Sequence, residues 1–216
     1  MNERIDVHHH LLPVDYVRWL HAQGITDAGG WQLPQWSTMH AIDAMDQRGI
    51  NAAVLSLSAP GVHLGDASTA ATWARRVNEF AAECAKDHPD RFGFFATLTL
   101  PDVDGALDAA NYAFDELSAD GVVLLANSRG SYLGSPGFDP LMAELDRRGA
   151  VVFVHPTELP GPAAPGIPRS RPISCSTPPA RRSTSSATTC PIAIPASGSS
   201  SPTPVGSCPT PCIASP

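Results

Sequence analysis

Four histidines stand where a metal ion could be bound. His8, His9 and His10 follow the apolar start of a short strand, and His155 ends the apolar run VVFVH. Residues two apart in an extended segment project to the same face, so we expect His8 and His10 to point together and His9 to point away. Two imidazoles on one face can hold a divalent cation, and a third from another strand would close the site. The sequence therefore predicts a metal site of His8, His10 and His155.

For other polar residues the sequence indicates a functional role less strongly. Ser58 and Asn127 come just after the second and fourth predicted strands, where they could meet a substrate, although polar loop residues are usually only solvated. Asp6, one strand step before His8, either orients the site or makes a structural hydrogen bond. The remaining histidines fall in or near predicted helices and loops and are interpreted as surface or structural residues: His21, His40, His63 and His88.

Five short apolar runs predict the strands that carry these residues. They are Ile5–Val7, Ala52–Leu57, Phe92–Leu100, Gly121–Ala126 and Ala150–Val154. Most do not alternate with polar residues, which is typical of strands buried on both faces of a parallel sheet.

Segments with helical periodicity separate the strands. One is capped by Ser37 and stopped by Gly49, and the next begins at Asp66 or Ser68 and ends near His88. Two more span Val103–Leu117 and Pro140–Arg148. Repeated strand–helix units predict a parallel α/β sheet. Five units fit either an open doubly wound sheet or the first part of a (β/α)₈ barrel, and no GxGxxG motif or P-loop supports a nucleotide-binding open sheet.

Composition excludes several classes of function. The formal charge of −7 over 216 residues argues against a nucleic-acid partner and against binding to anionic membranes. No apolar run is long enough for a transmembrane helix. The first residues lack the pattern of a secretory signal, so we expect a cytoplasmic protein.

The first 168 residues resemble the amidohydrolase-2 family, in particular its branch of aminocarboxymuconate-semialdehyde and resorcylate decarboxylases. The resemblance rests on DVHHHLLP, GINAAVLSLS, RFGFFATLTLP, VFVHP and the stretch GVVLLANSRGSYLGSPGFDPLMAEL. It implies a (β/α)₈ barrel with one divalent metal, usually zinc, held by His8, His10, His155 and a late aspartate. It also implies an acid/base histidine on the sixth strand. Neither this histidine nor the aspartate is evident in the chain.

A single metal is also favoured by the lysine content. Binuclear relatives commonly bridge their two metals with a carbamylated lysine on the fourth strand. The only lysine here, Lys86, falls in a helix before the third strand.

The composition changes abruptly near residue 168. Residues 169–216 contain no acidic, lysine or aromatic residue, are rich in Ser, Pro and Thr, and hold four of the five cysteines in no standard spacing. Such a segment cannot build the remaining βα units, and we expect it to be disordered. A frameshift near Pro168–Arg169 explains it, because the shifted frame permits DFLLDTTRAAVNLV from Pro172 and later SHAGG, the motif that the family carries at its sixth strand.

The sequence thus predicts residues 1–168 as the first five βα units of a metal-dependent decarboxylase or hydrolase acting on a small carboxylated substrate. The chain as written is expected to be inactive, and the parent enzyme could be a homo-oligomer. Two alternatives stay open: a non-catalytic half-barrel with a genuine disordered regulatory tail, and a secreted binding protein with a disulfide-linked stalk.

Overall fold

The helices and strands of the chain come from a computed structural model that describes residues 3–28 and 31–157. The strands are β1 (Ile5–His10), β2 (Asp27–Ala28), β3 (Trp31–Gln32), β4 (Ala52–Ser56), β5 (Phe92–Thr97), β6 (Gly121–Leu125), β7 (Asn127–Ser128), β8 (Ser131–Tyr132) and β9 (Val152–His155). The helices are α1 (Val14–Ala22), α2 (Thr38–Arg48), α3 (Ala67–Asp87), α4 (Val103–Asp115) and α5 (Asp139–Arg148), with a 3₁₀ turn at Pro136–Phe138.

One five-stranded parallel sheet organises the fold. Its strand order is β1-β4-β5-β6-β9, while β2 with β3 and β7 with β8 form small antiparallel pairs. Each long strand therefore lies beside the next one along the chain. A doubly wound sheet would reverse direction at a switch point, and this sheet does not. The described residues form a parallel half-barrel sheet of five strands, as the sequence predicts.

Capping residues mark the starts and ends of helices where the sequence predicts them. The Ser37 side chain accepts a hydrogen bond from the His40 N–H at 3.2 Å, and Gly49 ends α2 with φ +64°. Asp66, rather than Ser68, caps α3, because its carboxylate accepts the Thr69 N–H at 2.9 Å. Gly149 ends α5 with φ +61°. These caps satisfy backbone groups that helix ends leave unpaired.

Strand ends and one helix differ from the sequence predictions. β1 continues to His10 and β9 includes His155, so the histidines lie within the strands rather than after them. β5 ends at Thr97 instead of Leu100, because the Asn78 side chain takes up the backbone groups of Thr97. Helix α1 was not predicted, although its buried Tyr16 and Leu20 lie one turn apart.

The two faces of the sheet have different environments. One face packs against the helices and forms the core, with Leu55, Phe94 and Leu124 almost fully buried. The opposite, inner face carries Phe95 and Phe153, whose rings stack at 5.6 Å. The candidate ligands lie on this inner face, since the His8 ring contacts Phe153 at 5.1 Å.

Two further expectations concern membrane-spanning helices and residues 169–216. No helix among the described residues is long and apolar enough to cross a membrane. The expected disorder of residues 169–216 lies outside the described residues.

Candidate metal centre

A β-bulge at the start of the sheet positions the first two histidines. On β1, Asp6 pairs with Ala53 and His9 pairs with Leu55, so β1 has one residue more than β4 in this interval. The Asp6 carboxylate accepts the backbone N–H of His8 at 3.0 Å, and its other oxygen lies 3.0 Å from His9 Nδ1. Asp6 therefore stabilises the bulge and holds the His9 ring away from the cluster.

His8, His10 and His155 come together on the inner face, although His10 and His155 are 145 residues apart. His10 Nε2 lies 3.1 Å from His8 Nε2 and 3.2 Å from His155 Nε2. The three ligand atoms all lie within 4.8 Å of one another, and no carboxylate joins them within the described part of the chain. The first and last strands of the sheet thus meet through these three rings.

Backbone carbonyls orient two of the rings. His155 Nδ1 lies 2.6 Å from the Pro156 carbonyl oxygen, and His10 Nδ1 lies 3.4 Å from that of Ser56. A carbonyl can only accept, so each contact is a hydrogen bond in the tautomer that carries the proton on Nδ1. In that tautomer the Nε2 atoms of His10 and His155 face each other with lone pairs. A cation at this point would remove the repulsion, and carbonyl-bound imidazoles are the usual support of metal ligands.

Partial removal from water lowers the pKa of all three imidazoles. It lowers the pKa of His10 to about 4, and the neighbouring His155 and His8 rings contribute because two positive charges this close repel. Burial also lowers the pKa of His155, and that of His8 despite the opposing charge of Asp6. Neutral imidazole is the form that binds a metal, so the site needs no prior loss of protons near pH 7.

Two of the three nitrogen separations fit a small divalent ion. Nitrogens about 2.0–2.1 Å from a tetrahedral zinc lie roughly 3.3–3.4 Å apart. The two short separations, 3.1 and 3.2 Å, are close to this value. Three imidazoles leave room for a carboxylate, a water molecule or a substrate oxygen in the remaining positions.

A cavity of about 410 Å³ lies at the carboxyl ends of β4, β5 and β6, and the three histidines are not part of its lining. Asn127 lines this cavity, and its side-chain amide donates to Thr157 Oγ1 at 2.7 Å. Ser58 is not part of the lining, and its carbonyl accepts the Gly61 N–H in a turn. The structure thus brings Asn127, but not Ser58, to the cavity.

His63 is a cavity residue that the sequence interpretation missed. It lines the cavity, and its buried Nδ1 has no hydrogen-bond partner among the described residues. No local signal distinguishes it, because it lies in an irregular loop between β4 and α3. Its only clue is that this loop follows the carboxyl end of a strand. His21 and His40 lie exposed on α1 and α2, as expected. Lys86 lies near the end of α3, also as expected.

Comparison with known proteins gives matches over most of the chain. The Amidohydrolase family model matches residues 5–196. The decarboxylase yanB of Aspergillus niger is 44% identical over 161 residues, which are 72% of this chain and 44% of that protein. The 6-methylsalicylic acid decarboxylase of Penicillium expansum is 41% identical over 158 residues, 71% of this chain and 48% of that protein. The chain thus spans about half the length of these relatives.

Solved structures agree with the fold. A crystal structure of an amidohydrolase II matches with a TM-score of 0.71 and 34% identity, covering 76% of this chain and 54% of that one. A dihydroxybenzoic acid decarboxylase from Polaromonas sp., with bound manganese and the inhibitor 2-nitroresorcinol, matches with a TM-score of 0.60 and 25% identity. It covers 74% of this chain and 51% of its own.

Proposed function

This chain belongs to the amidohydrolase family, and from that premise we propose that His8, His10 and His155 bind one divalent metal ion in a decarboxylase of small aromatic acids. The observation that carries the proposal is the contact of 3.2 Å between two Nε2 atoms whose rings both direct Nδ1 to a backbone carbonyl. A cation or a shared proton between the two lone pairs would remove their repulsion. The lowered pKa of His10, about 4, argues against the proton.

A hydroxylated benzoic acid is the proposed substrate class. The 41% identical Penicillium relative is a 6-methylsalicylic acid decarboxylase, and the manganese-containing structure is of a dihydroxybenzoic acid decarboxylase. In this reaction the bond between the ring carbon and the carboxyl carbon breaks, carbon dioxide leaves, and the ring carbon takes a proton. Zinc is the metal that three imidazoles favour, and manganese is the alternative. A cytoplasmic location and a homo-oligomeric parent enzyme remain predictions.

Several residues of this chain would have distinct roles in the proposed decarboxylation. A bound divalent metal supplies a Lewis acid that polarises substrate oxygens. His10 and His155 are held in one tautomer by backbone carbonyls, and Asp6 fixes the bulge that turns His8 toward them. The rings of Phe95 and Phe153 cover the inner face beside the histidines. They exclude water from one side of the site, which strengthens electrostatic interactions there.

The residue that donates the proton in this reaction would be encoded by the shifted reading frame. We propose that a single-base frameshift near Pro168–Arg169 replaces the family's sixth-strand histidine and late aspartate by residues 169–216. The chain as written would then bind metal weakly and turn over substrate slowly or not at all. Resequencing the gene across codons 160–175 tests this, because one inserted or deleted base should restore DFLLDTTRAA. An intact frame would instead favour a genuine tail.

Metal titration of the full chain tests the site itself. The chain, freed of metal with a chelator, should take up one equivalent of Zn²⁺ or Mn²⁺, measured by calorimetry and elemental analysis. His10→Ala and His155→Ala should weaken this uptake by more than the roughly 10- to 100-fold typical of losing an outer hydrogen-bond partner. Exposed His21 on α1 provides the matched control, and His21→Ala should bind metal like the unmodified chain.

Either of two results would contradict the proposed metal centre. One is an unmodified chain that takes up no metal at neutral pH. The other is unchanged stoichiometry and affinity in His155→Ala.

A further inference from the structure

The cavity at the carboxyl ends of β4, β5 and β6 has the composition of a small-molecule site. Its 410 Å³ falls in the range of roughly 300–1,000 Å³ typical of such sites. Most of its walls are apolar and come from the ends of β4, β5 and β6 and the segments after them, including Leu57, Val62, Leu98, Leu100, Val123 and Leu125. These walls suit the faces of an aromatic ring.

Two buried polar atoms in the cavity lack partners. Thr97 is 5% exposed, lines the cavity, and its Oγ1 makes no hydrogen bond with the described residues. It lies two residues after Phe95 on β5, so it shares the inner face with the histidine cluster. His63 Nδ1 is the second such atom. Buried polar groups without partners are rare, and a ligand's hydroxyl or carboxylate would satisfy both.

A strained turn brings a cation to the same cavity. Arg129 and Gly130 join β7 to β8 with φ +51° and +88°. Positive φ at both central residues defines a type I′ turn, in which Asn, Asp or Gly is usual and arginine is disfavoured. Bonds from the backbone and side-chain amides of Asn127 to Thr157 Oγ1, at 3.3 and 2.7 Å, hold this hairpin.

The Arg129 side chain is available for a ligand. Arg129 lines the cavity, and a Cβ built on Gly65 would lie 3.9 Å from its Nη1, so the guanidinium approaches the loop that follows β4. Among the described residues Arg129 has no ion-pair or hydrogen-bond partner. Asp27, the acidic residue of the lining, does have an interaction partner. Backbone strain that points a functional group at a site is characteristic of binding residues.

We infer that this cavity is the aryl-acid subsite and that Arg129 binds the carboxylate of the substrate. The inference rests on the proposed function. The planar guanidinium can donate two parallel hydrogen bonds to a carboxylate, while the aromatic ring contacts the apolar walls. Thr97 Oγ1 and His63 Nδ1 are further polar atoms of this cavity with which the bound acid can form hydrogen bonds. Arg129 therefore determines specificity for acids, and the phenol left after decarboxylation, which has no carboxylate, binds more weakly and leaves.

Binding of 6-methylsalicylate and of 3-methylphenol, its decarboxylated counterpart, tests the inference. Calorimetric titrations at pH 7.5 would use the full chain, Arg129→Gly, Arg129→Lys and the control Arg18→Gln, whose arginine on α1 is exposed and outside the cavity. Arg129→Gly should weaken 6-methylsalicylate binding by about 10- to 100-fold, the loss typical of a charge-assisted pair, and leave 3-methylphenol binding unchanged. Arg129→Lys should be intermediate, and Arg18→Gln should match the unmodified chain.

The glycine variant separates binding from folding. Glycine adopts the positive φ of the turn freely, so Arg129→Gly should keep the circular dichroism spectrum and a melting temperature equal to or above that of the unmodified chain. The inference is overturned if the unmodified chain prefers 3-methylphenol, binds neither compound, or keeps its preference for the acid after Arg129→Gly. Zinc titration of the same variants distinguishes this failure from that of the metal site, because Arg129→Gly should bind zinc normally.

Discussion

Replacing Asn78 by alanine should destabilise the chain strongly, although Asn78 is neither a candidate metal ligand nor a residue of the cavity lining. Asn78 is 1% exposed on α3, where its Nδ2 donates to the Thr97 carbonyl at 3.0 Å and its Oδ1 accepts the Thr97 N–H at 2.7 Å. Alanine removes both partners and leaves two buried backbone groups unsatisfied. Each costs about 1–3 kcal/mol, so we expect a loss of about 2–6 kcal/mol in the free energy of unfolding.

Urea unfolding followed by circular dichroism at 222 nm measures this loss. Asn78→Leu separates lost hydrogen bonds from lost volume, since it fills the space without replacing the bonds and should be equally destabilising. Asn111, half-buried on α4, is the control because it accepts one bond from Arg148, which also pairs with Asp115 and Glu144. Its alanine variant should lose less than about 1 kcal/mol. The reasoning is refuted if Asn78→Ala stays within about 1 kcal/mol of the unmodified chain or if Asn78→Leu restores stability.

Three further predictions concern the metal site and the sheet. The metal-free chain should lose stability as the pH falls from 6.5 toward 4. The pKa of His10 is about 4 in the folded chain and 6.5 ordinarily, so the unfolded chain binds the proton first. The His10 contribution is on the order of 3 kcal/mol, and urea midpoints that do not fall between pH 7 and 4.5 would contradict the prediction. Asp6→Ala should weaken zinc binding about 10- to 100-fold by releasing the bulge, measured by calorimetry, and unchanged affinity would assign Asp6 a purely local role. Gly121→Ala should cost about 1–3 kcal/mol in urea unfolding, because its Cβ would meet the Val151 carbonyl oxygen, whereas Gly137→Ala, whose Cβ meets nothing within 4 Å, should be nearly neutral.

Local sequence patterns sufficed for most of the sheet and the helix ends. Strands buried on both faces are apolar throughout, and Ser37, Gly49, Asp66 and Gly149 satisfy helix ends in ways that depend only on the residue itself. Strand alternation also placed His8 and His10 on one face. That prediction survives the bulge because the extra residue falls before His9.

Features set by distant partners could not be predicted in this way. β5 stops at Thr97 because of Asn78, which is 19 residues away, and the sequence of Leu98–Leu100 does not indicate that the strand ends before it. Arg129 occupies a turn position that statistics assign to other residues, so sequence preference argues against its true conformation. His63 acquires its position only when its loop is placed beside β5 and β6.

The meeting of β1 and β9 through the three imidazoles has a consequence for the order of folding. His10 and His155 are 145 residues apart, so nearly the whole described chain must be arranged before their nitrogens can approach. Contacts of this separation form late, because closing a long loop is entropically costly until intervening structure exists. A nascent chain that has made β1 through β6 would hold two of the histidines and still lack the third. Zinc uptake followed in time should therefore lag behind the formation of helical structure, and it would report on the arrival of the last strand.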